Sequence, residues 1–194
     1  MAADVRLASV MQRIGPCNLK YPTSPEWFLI TSIVSQLIST KAATTITKRL
    51  TDLLGEAPSE YIRNLSTRDE TSLTGIGLTG AKIRTILEIS KKIQGGFCLD
   101  VAKGPLALNW EKELLAVKGI GPWTIHMFRI FGLGDLDVLA QGDLGLRQGL
   151  ALIDGLGRDY LPGELLKRCE AWRPWASIGT WYVWRSRGPV PGSE

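Results

Sequence analysis

The sequence predicts an all-α protein, because apolar residues recur at helical spacing and because capping residues and first-turn prolines punctuate the chain. No segment sustains the alternation of polar and apolar residues that marks a half-buried strand. The length, 194 residues with 44% apolar content, suffices for one sizeable core or for two small lobes, and one domain is the simpler count.

Ser24, Pro25 and Glu26 open the first expected helix with a capping hydroxyl, a proline where no helical N–H is needed, and an acid at the positive dipole end. Apolar spacing carries it through "EWFLITSIVSQLIST", mostly buried. After Ser39 and Thr40, "KAATTITKRLTDLLG" places Ile46, Leu50, Leu53 and Leu54 on one side and Lys41, Lys48, Arg49 and Asp52 elsewhere, and Gly55 closes it. Thr67 and Glu70 form a capping box before "TSL", and Thr79 caps "GAKIRTILEISKKIQGG", where Ile83, Ile86, Leu87 and Ser90 make an inward stripe. Residues 95–108 read as a connector. Asn109 caps "WEKELLAV", which has Glu111 and Glu113 in its first turn; the chain breaks over Lys118, Gly119, Ile120 and Gly121 and restarts as a helix from Pro122 to about Gly132. Later helices are expected near Asp143, near Pro162 and at Pro174.

A formal charge of +4 permits a polyanionic partner. Cys17, Cys98 and Cys169 are far apart, with no CxxC pair and no matched disulfide framework, which fits a reducing compartment. The N-terminus lacks an apolar signal core and no 18-residue uncharged span occurs, so neither secretion nor membrane insertion is expected.

The break at 118–121 carries the chemistry. Glycines accept positive φ and leave N–H groups uncovered, and a turn feeding a helix N-terminus presents those amides, with the dipole, to an anion such as a nucleic-acid phosphate. A tight helical hairpin without any ligand uses the same residues, and a GxG alone does not separate the two. "LTGIG" at 73–77 echoes "VKGIG" at 117–121 with dissimilar flanks and reads as a helix-joining turn.

The stretch "LLAVKGIGPWTIHMFRIFGLGDLDVLAQGDLGLRQGL" resembles the hairpin, glycine/proline turn and aspartate of the helix-hairpin-helix (HhH-GPD) DNA glycosylase superfamily, in particular its 3-methyladenine DNA glycosylase II, alkylation-repair type. "IVSQLISTKAATTI", "GIGLTGAKIRTI" and "WRPWASIGTWYVWR" are similar to further family segments, in the family's order, over most of residues 25–187. The resemblance implies a two-lobed helical fold with a cleft between the lobes, in a single domain 1–194: about 22–105 form one lobe, and 1–21 with 106–194 the other. It implies a monofunctional enzyme that flips an alkylated, 3-methyladenine-like purine out of DNA and hydrolyses its N-glycosidic bond, leaving an abasic site in base excision repair.

By the same resemblance, Lys118, Gly119, Ile120, Gly121 and Thr124 hold the DNA backbone without reading sequence. Gln36 and Leu37 fill the gap left by the flipped base, although Leu37 also suits the core side of an apolar helix. Asp143 matches the family aspartate, whose carboxylate stabilises an oxocarbenium-like sugar or orients water; by position alone it is a helix cap. Trp123 and Trp184 match the family's base pocket, Trp181 shares the helical face of Trp184, and Met127 stands at the pocket where some relatives have tyrosine, a departure that leaves the preferred base open. A tryptophan face attracts a cationic methylated base by about 0.5–2 kcal/mol, while core packing is the other use of such residues. Trp27, Trp172 and Trp175 are assigned to the core and His126 receives no catalytic role.

Trp123 stands where relatives resembling endonuclease III carry a Schiff-base lysine, so no lyase activity is expected. Cys169 is alone in the region of their four-cysteine loop, so no iron–sulfur cluster and no required cofactor are expected. The resemblance also implies that backbone carbonyls of Leu115, Val117 and Ile120 hold a structural monovalent cation. Lys41, Lys48, Lys82, Arg84, Lys118 and Arg147 are expected to border the cleft. The partner is double-stranded DNA with a damaged base and no membrane; the protein is expected to be a monomer, cytoplasmic at the nucleoid in a prokaryote or nuclear in a eukaryote. A noncatalytic helix-hairpin-helix module that binds damaged or abasic DNA is the alternative from another class.

Overall fold

The computed structural model describes residues 4–188, which contain ten α-helices and no strand. They form two compact units: Thr23–Phe128, and the described residues up to Pro22 together with those from Arg129 onward. No helix among the described residues is long and apolar enough to cross a membrane.

The unit Thr23–Phe128 holds helices α2 (Pro25–Ser35), α3 (Thr40–Leu54), α4 (Tyr61–Ser66), α5 (Gly80–Gln94), α6 (Trp110–Leu115) and α7 (Pro122–Met127). Leu29, Ile30, Ile33 and Val34 make α2 its fully buried centre, against which α3, α5 and α7 pack. Ser24, Ser39 and Thr79 cap α2, α3 and α5 by accepting the amides of Trp27, Ala42 and Lys82. The expected stripe of Ile83, Ile86, Leu87 and Ser90 is buried. Two expected caps differ. Asp69, not the Thr67–Glu70 pair, accepts the Ser72 amide at 2.9 Å, while Thr67 turns back to the Asn64 carbonyl. Asn109 precedes α6 in a left-handed conformation and makes no side-chain cap.

The division between units falls after Phe128, later than the 105/106 boundary expected from sequence. The glycine hairpin is therefore part of the α2–α5 unit, where Gln36, just after α2, and Thr85 of α5 bond its carbonyls.

The second unit holds α1 (Val5–Ile14), a π-turn (Phe128–Gly132) continuing from α7, α8 (Leu144–Asp154), α9 (Pro162–Arg168) and α10 (Ala176–Arg185). Helix α1 was not anticipated; its signal is Asp4, which accepts the Leu7 amide at 3.1 Å, followed by the buried Leu7 and Val10. Helix α10 begins at Ala176 rather than Pro174, with the Ala176 amide donating to Asp137 Oδ1 at 3.3 Å. Of the tryptophans assigned to the core, Trp172 is fully buried, Trp27 is half-buried against Tyr61, and Trp175 is instead 45% exposed. A Cβ on Gly179 would lie 2.4 Å from the Trp172 ring, so only glycine lets α10 rest on that indole.

One charged cluster ties this unit together. Arg168 donates to Asp4 Oδ2 at 2.5 Å and to Asp154 Oδ2 at 2.7 Å, and Trp172 Nε1 donates to Asp4 at 2.7 Å. Burial alone would raise both carboxyls, but the hydrogen bonds from Arg168, joined by Trp172 and the Leu7 amide at Asp4 and by Tyr160 at Asp154, hold both below their ordinary value. Tyr160, half-buried and bonded to Asp154, is pushed up to about 12.

Arg168→Met leaves two carboxylates buried without their cation and is expected to destabilise the protein by about 3–5 kcal/mol in chemical denaturation. Because the folded carboxyl values are depressed, the stabilisation from Arg168 is present above the ordinary carboxylate range and disappears as pH falls. The stability gap between wild type and variant should thus narrow from about pH 5 toward pH 3. A gap constant across that range would contradict the assignment.

Candidate functional site

The hairpin arises where α6 has run out of hydrogen-bonding partners and α7 has not begun. The Ile120 amide closes the turn on Val117 O at 3.1 Å, and Gly121, in extended conformation, accepts from Ile125 to start α7 behind Pro122. Gly119 has φ +99°, and a Cβ there would sit 2.5 Å from Thr85 Oγ1, so glycine is required by both conformation and space. That close approach is used: Thr85 Oγ1 donates to Lys118 O at 2.8 Å. From the other side, Gln36 Nε2 donates to Gly119 O at 3.1 Å and to the buried Thr124 Oγ1 at 2.9 Å. With its carbonyls drawn into the protein, the turn leaves Lys118 and Gly119 exposed ahead of the α7 N-terminus. First-turn amides have no intrahelical acceptor and suit an anion.

Gln36 and Leu37 follow the end of α2. The helix stops at Ser35, Gln36 is extended (φ −54°, ψ 129°), and Leu37 has φ +57°. Helix α2 therefore does not continue through "QLIST", and Leu37 is not a core residue: its side chain is wholly exposed, at 104%. A left-handed conformation costs a leucine about 1–2 kcal/mol. Lys82, expected to face DNA, turns inward, donating from Nζ to Val34 O and Gln36 O, both at 2.7 Å. This is a cation on a helix C-terminus. Its burial lowers the ammonium's pKa.

Asp143 is the N-cap of α8, as its position suggested. Its Oδ1 accepts the Leu146 amide at 2.6 Å and Trp184 Nε1 at 2.8 Å. The Trp184 ring stacks on Phe131, with centroids 5.8 Å apart and planes at 18°. Gly145 lets these groups close in, since a Cβ there would stand 3.1 Å from Asp143 Oδ1 and 3.5 Å from the Trp184 ring. Trp181, one turn before Trp184, is only 1% exposed, lies edge-on to Tyr182, and its buried Nε1 makes no hydrogen bond within the described residues.

The structure thus brings the expected residues together in two sets. Lys118, Gly119, Ile120, Gly121, Thr124, Gln36 and Leu37, with half-buried Trp123 and buried Met127, belong to the α2–α7 unit. Asp143, Trp181 and Trp184 belong to the other. Several expected DNA-facing cations have protein partners: Lys48 pairs with Asp52, Arg84 with Glu70, and Arg147 donates to Tyr160 O. Thr85 and Phe131 were missed. A threonine within the apolar stripe of α5 was the available signal for the first; nothing in the sequence pattern marks Phe131 as the stacking partner of Trp184.

Among the described residues the fold is all-helical, with a glycine hairpin before one helix N-terminus and an aspartate bonded by a tryptophan at another. The chain belongs to the HhH-GPD superfamily of base excision DNA repair proteins, whose profile matches residues 30–174. It is 27% identical over 186 residues to DNA-3-methyladenine glycosylase 1 of Schizosaccharomyces pombe, a match covering 93% of this chain and 80% of that protein. Among solved structures it superposes on the DNA-3-methyladenine glycosidase of Bacillus halodurans with TM-score 0.79 and 34% identity, covering 96% of this chain and 86% of that one. The Schizosaccharomyces pombe 3-methyladenine DNA glycosylase, solved in complex with abasic DNA, gives TM-score 0.78 at 25% identity, covering 94% and 91%.

Gly119→Ala is expected to destabilise the chain by about 1–3 kcal/mol, through a left-handed alanine and the contact with Thr85. Adding Thr85→Ala removes the contact but not the strain, so the double variant should lose less stability than the sum of the two single variants. Additive losses in denaturant titrations would show that the contact is not made.

Proposed function

We propose that the protein is a monofunctional DNA glycosylase that flips alkylated, 3-methyladenine-like purines out of duplex DNA and excises them by hydrolysis, leaving an abasic site. The observation that carries this is the Asp143 carboxylate, fixed by the Leu146 amide and the Trp184 indole beside an aromatic stack. The family membership and the abasic-DNA complex of a relative support the substrate class.

A base must leave the stack before its glycosidic bond can be reached. The hairpin of Lys118, Gly119, Ile120, Gly121 and Thr124 grips a backbone phosphate, and Leu37 enters the vacated space. The ring charge of a methylated base makes it both attractive to an indole face, such as Trp123 and Trp184 each offer, and a good leaving group. The C1′–N bond breaks with its electron pair going to the cationic base, which departs neutral. Asp143 stabilises the oxocarbenium-like sugar, and water adds to C1′ and releases its proton to solvent.

Hydrolysis rather than lyase chemistry is supported by Trp123, which offers no amine where a Schiff base would form. The three cysteines supply fewer than the four thiolates of an iron–sulfur cluster. The carbonyls of Leu115, Val117 and Ile120 suit a hard monovalent cation: Val117 O accepts from Ile120 and keeps a second lone pair. Bound there, such an ion stiffens the hairpin and takes no part in bond cleavage. We further propose that the protein acts as a monomer, at the nucleoid or in the nucleus.

Asp143→Asn keeps an oxygen that accepts from Leu146 and Trp184 while removing the charge. It is expected to slow release of methylated adenine from duplex DNA by about 100-fold or more, with DNA affinity and melting temperature nearly unchanged. DNA binding with no base release by wild type would sink the enzymatic reading in favour of a binding module. Borohydride added during turnover should trap no protein–DNA adduct; a trapped covalent complex would show that an amine attacks the sugar and that the enzyme is a lyase.

A further inference from the structure

We infer that Lys82 is a positioning residue for the wedge: its ammonium, bonded to Val34 O and Gln36 O, holds the turn that presents Leu37, so that base eversion from duplex DNA depends on a lysine that does not touch DNA. This rests on the glycosylase reading and goes beyond it.

An exposed leucine in the left-handed region has no local reason to stay there. Nothing buries its side chain, and the conformation is itself unfavourable. The surrounding structure must determine it. The α2 carbonyls that a longer helix would satisfy are instead met by Lys82 Nζ, at 2.7 Å to Val34 O and 2.7 Å to Gln36 O, one on each side of Ser35. The lysine sits in the first turn of α5, whose cap is Thr79, and that helix is anchored by Ile83, Ile86 and Ile89 in the core. The second fastening is the Gln36 side chain, bonded to Gly119 O and Thr124 Oγ1. The main chain of Gln36 is thus held by α5 while its amide holds the hairpin, and Leu37 is the next residue. The phosphate-gripping turn and the wedge are mechanically one piece, with α5 as their common support, because Thr85, one turn after Lys82, fixes Lys118 O.

A residue of this kind matters only where there is a stack to open. Single-turnover excision of methylated adenine is therefore to be compared on a duplex and on a single strand for wild type, Lys82→Met, Lys82→Arg, Leu37→Ala and the Leu37→Ala/Lys82→Met double variant. A 2-aminopurine beside the lesion reports unstacking directly. Lys82→Met should lose roughly tenfold on the duplex, as Leu37→Ala does, and leave single-strand excision unchanged. The double variant should be no worse than Leu37→Ala alone, and Lys82→Arg, which can reach both carbonyls, should restore most of the loss. The 2-aminopurine signal seen with wild type should fall in Lys82→Met. Equal losses on duplex and single strand, an additive double variant, or full duplex activity in Lys82→Met would each overturn the inference. Should Lys82→Met not fold, Lys82→Gln, which keeps one amide donor, should show a smaller loss confined to the duplex, and a loss shared with the single strand would overturn the inference in the same way. If wild type releases no base from either substrate, the glycosylase reading fails, while the fluorescence comparison still decides whether Lys82 supports Leu37.

Discussion

In a chain built only of helices, nearly every backbone polar group in the interior is already bonded, so chemistry can attach to the backbone only where helices end. Each helix leaves amides at its start and carbonyls at its finish without intrahelical partners. Three of the features assigned a role here lie at such ends. The hairpin is the junction of α6 and α7, the exposed leucine follows the end of α2, and Asp143 is the start of α8. What distinguishes these ends from the ordinary ones, closed by Gly15 or Gly55, is that side chains from other elements close them. Lys82 takes the α2 carbonyls, Gln36 and Thr85 take those of the hairpin, and Trp184 shares the cap of α8.

This arrangement makes glycine and aspartate do different jobs under one constraint. At Gly119 the missing side chain lets the turn come within bonding distance of Thr85; any Cβ would push it away from the support that fixes its carbonyls. At Asp143 the side chain substitutes for the missing helical acceptor, and the same oxygen receives the Trp184 indole. The carboxylate's position is therefore set by folding itself: forming the first turn of α8 and packing α10 place it before any substrate arrives. Preorganisation of this sort is what an electrostatic contribution to bond cleavage requires, since groups already aimed need no rearrangement at the moment charge develops.

How far the sequence revealed this depends on the kind of signal each residue left. Helix starts were legible, because Ser24, Ser39, Thr79 and Asp143 cap as their types and positions require, and the inward stripe of α5 follows from period alone. The hairpin glycines were singled out by pattern, and Asp143 by family resemblance. Helix α1 was overlooked although Leu7, Val10, Met11 and Ile14 follow helical spacing; the partners of its cap Asp4, Arg168 and Trp172, lie far along the chain, where no local window contains them. The same reason hides the roles of Lys82, Thr85 and Phe131. Lys82 had the composition of a phosphate contact; only the close approach of α2 and α5 shows that carbonyls, not phosphates, are its partners. The ties that bind the hairpin to Gln36 and α5 are equally hidden, since they run through side chains at sequence separations of 33 to 88 residues.

Two residues other than glycine have positive φ among the described residues, and the comparison between them bears on the wedge role proposed for the leucine. Asn109, at φ +56°, is a residue type that tolerates the left-handed region, and it simply leads into α6. Leu37, at nearly the same φ of +57°, is a type that does not, in a place where glycine or asparagine would be conformationally easier. Its side chain gains nothing from the fold, being fully exposed. Water is a poor surrounding for a leucine and the left-handed region a poor conformation, so two unfavourable contributions coincide at one residue. Removing either would stabilise the free protein. A side chain held at a loss in both respects accords with the proposed wedge role, in which it enters the apolar space opened in a DNA stack by an everted base.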